Sequence, residues 1–509
     1  MNIKEKIIEF TNWQKRLSAY RMALSLIGAD QTFGAPLEGA AYRNRCTALL
    51  HGEYIKIFQD DSMYDLIRSL GSLSEEELSE NMPDTDCNAG DIKRELDLFL
   101  KQLEKERAIP ADEYVEFSMI LDKSREGWLK AKSEEDYKSY APLLQEVIDG
   151  YKRITSLQNS SLGLYDRMLD DHQPGWIQAK YDLFFNDVKE RLVPIVKNCA
   201  SDCGNDLLSG KEFPADSQRR IMKKIRDMIG FSLGWGMMGE SEHPLTTSIN
   251  KNDIRFTTKY RENNIAMAIL SSIHEVGHAY YGHQVSDRYD GTIIAHTINA
   301  GIHESQSRLC ENHLGRSLPF WKVNYPKLQK AFPTQLEGVT TEDFYRAINA
   351  SEPSLIRTDA DELTYPLHII IRYEIEKGLF NGSIPTENLN KVWNEKYEEY
   401  LGVKVPNDKD GILQDMHWPY AYFGYFPTYA LGSAYAAQFY HKMKEEIDVD
   451  QLLLDSQYPV IMEWLKTHVH QYANRYSPDE VLEKATGETF QVNYYLDYLE
   501  EKYRRLYNL

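Results

Sequence analysis

Residues Asn263–Tyr281, NNIAMAILSSIHEVGHAYY, set the reading of the whole chain. The stretch reads as one long helix, and it carries His274-Glu275-Val276-Gly277-His278, an HExxH. Residues four apart stand on one helical face, so both imidazoles can reach a single ion at ~2.0 Å. Glu275 projects beside that pair, within reach of a water on the ion. Zinc in such a place lowers the pKa of its water towards ~7, and the glutamate removes the proton as a polarised carbonyl is attacked. Six of the 14 histidines fall between His274 and His313, which concentrates the chemistry in this part of the chain.

Just upstream the pattern changes. Thr246–Asn250 and Asp253–Thr258, rich in Thr and Ile, flank Lys251-Asn252 and read as a short strand pair. Elsewhere helical periodicity dominates. Ile3, Ile7, Ile8 and Phe10 mark the face of an N-terminal helix. From Asp91, the residues Ile92, Leu96, Phe99 and Leu103 recur at helical spacing until Pro110. Ser74 and Glu77 form a candidate capping box, and Asn81–Gly90 reads as a polar loop. Further amphipathic stretches cover residues 113–129, 140–157, 177–192 and 218–228. The expected class is mainly α: one large helical fold with a small β element next to the HExxH helix. No repeat or linker marks a boundary. Residues 1–509 are therefore read as one domain, with 1–200 an N-terminal helical part and 201–509 carrying the metal site.

Composition narrows the partners. Of 509 residues, 42% are hydrophobic and 27% charged, ordinary globular usage that excludes a disordered chain. Lys+Arg 58 against Asp+Glu 78 leaves a formal charge of −20, which repels phosphate backbones, so nucleic acid and anionic membranes are not expected partners. Five cysteines (Cys46, Cys87, Cys199, Cys203, Cys310) make no disulfide framework and read as reduced thiols of a cytoplasmic protein. The N-terminus has no apolar run of signal-peptide length. Met416–Tyr440 carries no Asp, Glu, Lys or Arg, but Pro419, Pro427, Gly424, Gly432 and its tyrosines suit a buried pocket wall better than a membrane span.

Two ligands do not complete a catalytic zinc site, which needs three and a water. The metzincin pattern requires Gly and His three and six residues after the second motif histidine. Tyr281 and Gln284 stand there, so that pattern is excluded. The helix-compatible stretch Ile302–Leu314 offers Glu304, 26 residues beyond His278, while His303, His296 and Glu311 compete on spacing. His283 and His313 read as surface or supporting residues.

Taken in order, His274–His278, then HESQS at 303–307, DIRFT at 253–257, IRTDAD at 356–361 and GILQDMHW at 411–418 resemble the carboxypeptidase Taq family. Trp128 with YAP at 140–142, and Tyr165-Asp166 with Pro174-Gly175, fit the same pattern, so the resemblance spans most of the chain. One departure is His243-Pro244-Leu245, where the family has HPF; the missing ring reshapes a pocket wall and bears on side-chain preference. The resemblance implies a helical, groove-bearing fold related to neurolysin and the angiotensin-converting enzyme. It also implies a homodimer, a zinc or cobalt ion, and removal of single residues from peptide C-termini. By motif match the ligands are His274, His278 and Glu304, with Glu275 as general base.

An exopeptidase of this kind must bind a free C-terminal carboxylate, for which a fixed guanidinium is best suited. Arg357 is the first candidate and Arg255 the second; His243 is a further substrate-side candidate. An oxyanion needs donors besides the metal. Residues 417–429 offer His417, Tyr420, Tyr422, Tyr425 and Tyr429, of which His417 and Tyr425 or Tyr429 are preferred. The strand at Asp253–Thr258 is a candidate to pair with substrate backbone. Two rival readings remain. An endo-acting enzyme like thimet oligopeptidase would not need the carboxylate-binding arginine. A non-catalytic helical metal-binding protein would have little use for Glu275.

Overall fold

Many of the described helices begin at a short polar side chain that takes up a free N–H of the first turn, and the surface helices bury one apolar stripe. The computed structural model, which describes residues 1–158, 160–199, 207–296 and 299–508, is mainly helical with one three-stranded sheet among those residues. The N-terminal helix Ile3–Phe33 starts in a capping box of Asn2 and Glu5. It buries Ile7, Phe10, Trp13 and Leu17. Ile8, expected on that face, is 43% exposed. A stripe through 7, 10, 13 and 17 puts residue 8 about 100° round the helix. The Ser74–Glu77 capping box is present. The loop assigned to Asn81–Gly90 is shorter than expected, because Asn88 and Asp91 form another such box and the helix already runs from Ala89 to Arg107. The amphipathic stretches coincide with the helices Ala111–Glu134, Tyr137–Leu157, Gln178–Cys199 and Ala215–Met228, the third starting one residue later than expected.

The N-terminal helices enclose a small core of their own around Phe10, Trp13, Phe58 and Phe99, joined by Ile293. Fully buried Asp91 ties this part to the chain beyond it, pairing with Arg475 at 2.7 Å and accepting the Tyr289 hydroxyl at 3.1 Å. Cys46, Cys87 and Cys310 are free thiols, and Cys203 lies outside the described residues. No helix among the described residues is long and apolar enough to cross a membrane. Met416–Tyr440 is instead a partly buried loop, with Met416 and Tyr422 exposed, that passes at Pro427 into the helix Pro427–Glu446.

The expected strand pair is present as β2 (Leu245–Asn250) and β3 (Asp253–Thr258), antiparallel about Lys251-Asn252. A third strand, β1 (Gly236–Glu240), runs parallel to β3 on its other side. Its sequence, GMMGE, lacks the β-branched residues that signal a strand. The order β1-β3-β2 corrects the expectation for Asp253–Thr258. Both edges of β3 are already paired, so it has no open edge to offer a substrate backbone.

Two glycines set how closely the central helices approach. The HExxH helix, Ile265–His283, packs on the helix Ala300–Arg308. A Cβ at Gly277 would lie 2.6 Å from the main-chain oxygen of Gln306 and 2.6 Å from Cα of Ser307. From the other side, the helix Pro427–Glu446 crosses at Gly432, where a Cβ would meet Cβ and Cγ of Glu304 at 2.7 Å. The stretch expected to be helical over 302–314 continues beyond Arg308 as wider π-type turns over Leu309–Gly315, a feature common at functional sites.

Gly277→Ala must push two backbones apart and is expected to destabilise by about 1–3 kcal/mol in a denaturant titration. Gly28→Ala, at an exposed helical position with open space around the new Cβ, is expected to stabilise by about 0.5–1 kcal/mol. Equal effects at the two positions would remove the close approach as a constraint.

Candidate metal centre

The HExxH helix starts at Asn264, whose side chain accepts the Met267 N–H. Three turns on, His274 and His278 share a face, with ring centroids 4.9 Å apart. Glu304, on the adjoining helix, brings Oε2 to 3.7 Å from His278 Nε2 and 4.0 Å from His274 Nε2. One ligand atom from each of the three residues lies within 4.8 Å of the others. Donors ~2.1 Å from one tetrahedral cation stand roughly 3.4 Å apart, so a small contraction would close this set on an ion. Two imidazole nitrogens and one carboxylate oxygen fit a divalent transition metal.

The supports of this cluster are charged and buried. Arg308 Nε donates to Glu304 Oε1 at 2.8 Å, leaving Oε2 towards the histidines. Glu311 Oε2 stands 3.0 Å from His274 Nδ1 and 3.4 Å from Arg308 Nη1, while Glu311 Oε1 accepts from Arg316 at 3.1 Å. Burial opposes ionisation of Glu311, but His274, Arg308 and Arg316 outweigh it and hold the carboxyl well below the usual range. A carboxylate on the far nitrogen of a histidine fixes its ring and tautomer. Glu311, a rival on spacing, is therefore placed behind His274 rather than beside Glu304. His303, another rival, stacks on the His278 ring at 4.2 Å. The remaining histidines lie elsewhere. His296 lies close enough to Arg21 to feel its charge. His283 stacks on Trp235 at 4.0 Å. His313 sits against Tyr440 and Tyr498.

Glu275 is 6% exposed. Thr246 Oγ1, on β2, lies 2.6 Å from its Oε2 and 3.0 Å from its main-chain oxygen. Burial pushes the Glu275 carboxyl upward, against the opposing pull of His274 and Thr246. The two other candidates near β2 are not drawn in. Cross-strand partners share a sheet face and neighbours along a strand alternate. Arg255 pairs with Thr247, and Phe256 with Thr246, so Arg255 is on the face opposite the one that meets Glu275. Its guanidinium is held by Asp253 through two bonds of 2.9 Å. His243 is exposed in the turn before β2, and its main-chain oxygen accepts from Ser241 at 2.6 Å.

Arg357 is buried, with Nε and Nη2 donating to Asp415 Oδ1 at 3.1 and 2.9 Å. Arg372 holds the other oxygen of Asp415 at 2.6 Å. Burial disfavours the Asp415 charge, but the two arginines outweigh it and keep the carboxyl far below its ordinary value. Two guanidinium charges against one carboxylate leave this cluster with a surplus of one positive charge. The Arg357 Nη1 faces the Tyr365 hydroxyl at 3.5 Å, and Arg308 lies over the Tyr365 ring at 4.3 Å, so Tyr365 joins this cluster to the histidine–glutamate cluster.

His417 Nε2 lies 3.4 Å from the Tyr429 hydroxyl, and Tyr425 packs edge-on against Tyr429 at 5.2 Å. Burial pulls His417 down to about 3, so its ring is neutral near pH 7. Burial raises Tyr425 to about 12 and pushes Tyr429 well above the usual phenol value, and both phenols also feel the Glu304 charge, so both keep their protons. Tyr420 and Tyr422 stack on each other instead, with Arg125 over Tyr420 and Tyr422 51% exposed. Sequence reasoning missed Thr246, Arg308, Tyr365, Asp415 and Arg372. The spacing Glu304, Arg308, Glu311 was a usable sign, since i, i+4 and i+7 share a helical face. Thr246 lies 29 residues from Glu275, and no local pattern joins them.

Known proteins resemble this chain over nearly its whole length. The family model described as carboxypeptidase Taq (M32) metallopeptidase matches residues 9–503. Carboxypeptidase 1 of Bacillus subtilis is 38% identical over 504 residues, covering 98% of this chain and 98% of that protein. Thermostable carboxypeptidase 1 of Thermus thermophilus is 32% identical, covering 99% of this chain and 98% of that one. The crystal structure of the M32 carboxypeptidase from Deinococcus radiodurans R1 superposes with a TM-score of 0.93 at 31% identity, over 99% of this chain and 100% of the other. The chain therefore belongs to the carboxypeptidase Taq (M32) metallopeptidase family and is a metallocarboxypeptidase, a metal-dependent peptide hydrolase.

Proposed function

We propose that this protein removes single amino acids from the C-terminus of peptides, with zinc, or cobalt in its place, held by His274, His278 and Glu304. The observation that carries the reading is the convergence of these three side chains within 4.8 Å, with Glu275 on the same helix as both imidazoles. When bound, the ion supplies a Lewis acid that polarises the scissile carbonyl and acidifies water.

The chain's own groups do the rest. Glu275 accepts the proton of the attacking water and returns it to the departing amine. Its buried setting, which favours the protonated carboxyl, suits a group that must hold a proton between two steps. Thr246 holds one carboxylate oxygen and so sets which way the other points. Neutral His417 and the protonated phenols of Tyr425 and Tyr429 are donors suited to the developing oxyanion. Arg357, its guanidinium held on one edge by Asp415, presents Nη1 beside Tyr365 to a terminal carboxylate, whose charge offsets the surplus of the Arg357–Arg372–Asp415 cluster. Arg255 is read as a structural partner of Asp253. We read residues 1–509 as one domain, working in the cytoplasm, where free thiols such as Cys46, Cys87 and Cys310 persist. The homodimer is carried by the family resemblance alone.

Glu275→Gln is expected to keep its metal and lose about 10³-fold in kcat; near-normal turnover would remove Glu275 as the base. Peptides with a free C-terminus should be trimmed one residue at a time while their C-terminal amides resist. Arg357→Lys should raise KM for the free acids by about tenfold or more with little change for any residual amide cleavage. Internal cuts in amidated peptides would favour an endopeptidase instead.

A further inference from the structure

Glu376 is a fully buried carboxylate in the helix Tyr365–Asn381, and none of the steps above uses it. Its Oε1 accepts the indole N–H of Trp418 at 2.7 Å. Its Oε2 accepts the main-chain N–H of Gly424 at 2.8 Å and the hydroxyl of Tyr165 at 2.9 Å. Trp418 directly follows His417 and Gly424 directly precedes Tyr425. The loop between the two candidate oxyanion donors is thus closed at both ends on one carboxylate.

The loop is fixed within and behind as well. The N–H groups of Tyr420 and Tyr422 both donate to the main-chain oxygen of His417, at 3.1 and 2.9 Å. Gly424 has φ +78°, and a Cβ there would lie 2.7 Å from the main-chain carbon of Met168, so the loop lies directly on the helix Leu164–His172. His172 Nε2 stands 3.2 Å from the Phe423 oxygen.

We propose that Glu376 is a positioning residue, whose two carboxylate oxygens set the separation of His417 and Tyr425 and thereby the geometry of the donors that receive the oxyanion. The proposal rests on the reading of His417 and Tyr425 given above. Donors of this kind act through pre-organisation, so a shift of a few tenths of an ångström to one ångström is costly to rate and nearly neutral to substrate binding. Burial pushes the Glu376 carboxyl up to about 7, and the Gly424, Trp418 and Tyr165 donors pull the other way, as does Arg372 one turn earlier on the same helix. A neutral amide cannot replace the carboxylate. It would turn N–H groups either towards the Trp418 indole or towards the Gly424 and Tyr165 donors.

The test uses the full-length, metal-loaded enzyme and the variants E376Q and W418F. E376Q is expected to lose about 10–100-fold in kcat, with KM within about twofold and unchanged metal content. W418F, which removes one of the three donors, should lose less, and the double variant should be no worse than E376Q alone, because the two act through one contact. A lowered denaturation midpoint with normal kcat per folded molecule in E376Q would overturn the proposal. Should E376Q fail to fold, W418F decides: reduced kcat at unchanged KM supports the proposal and normal kcat refutes it. H417A and Y425F separate the two levels. If both keep kcat, the oxyanion reading fails and this proposal with it. If they lower kcat while E376Q does not, only the role of Glu376 fails.

Discussion

The contact on which the site depends is that of Gly277 with the backbone at Gln306 and Ser307. Gly277 directly precedes His278, and a side chain there would press on the backbone two and three residues beyond Glu304. Gly432 does the same for the helix that crosses from the other side, where it lies against Cβ and Cγ of Glu304. Interiors are packed like crystals and give way little. Glu304, packed against Gly432, brings Oε2 to within 4.0 Å of both imidazoles.

That packing places several charges out of water, which is tolerable only where each is answered. Along one side of the site acids and bases alternate: Glu304 with Arg308, then Glu311 with Arg308, Arg316 and His274. On the other, Asp415 is shared between Arg357 and Arg372. In the first group two guanidinium groups answer two carboxylates, and in the second two guanidinium groups share one. This difference separates the two chemical needs of an exopeptidase. A balanced cluster can orient ligands, whereas an unbalanced one can attract an anion. Tyr365, touching both Arg308 and Arg357, is the physical link between them.

Much of this was legible in the sequence, for definable reasons. Spacing of four on a helix is enforced by the backbone, so the pairing of His274 and His278 needed no tertiary information. Capping boxes at Ser74 and Asn88 are local too, although only the first was read as one. The hairpin at Lys251-Asn252 was readable because its strands are rich in Thr and Ile, while β1, made of Gly, Met and Glu, carried no such signal. Its absence from the sequence reading is why β3 was taken for an open edge. Arg255 and Arg357 each have acidic neighbours within a few residues, and sequence could rank them only by motif. The fold separates them: Arg255 is satisfied by a residue two positions away on the far face of the sheet, whereas Arg357 draws its partner, Asp415, from 58 positions away. Contacts of that range, like Thr246 with Glu275 or Trp418 with Glu376, belong to packing and have no local signature.

The central claim is that a single divalent cation sits where the two imidazoles and Glu304 converge. It is tested most directly by anomalous diffraction from crystals of the zinc-loaded protein, with data on either side of the zinc absorption edge. The account predicts one strong peak per chain, about 2.0–2.2 Å from His274 Nε2, His278 Nε2 and a Glu304 carboxylate oxygen. A peak coordinated by His303 or Glu311 in place of Glu304, or one remote from the HExxH helix, would contradict it.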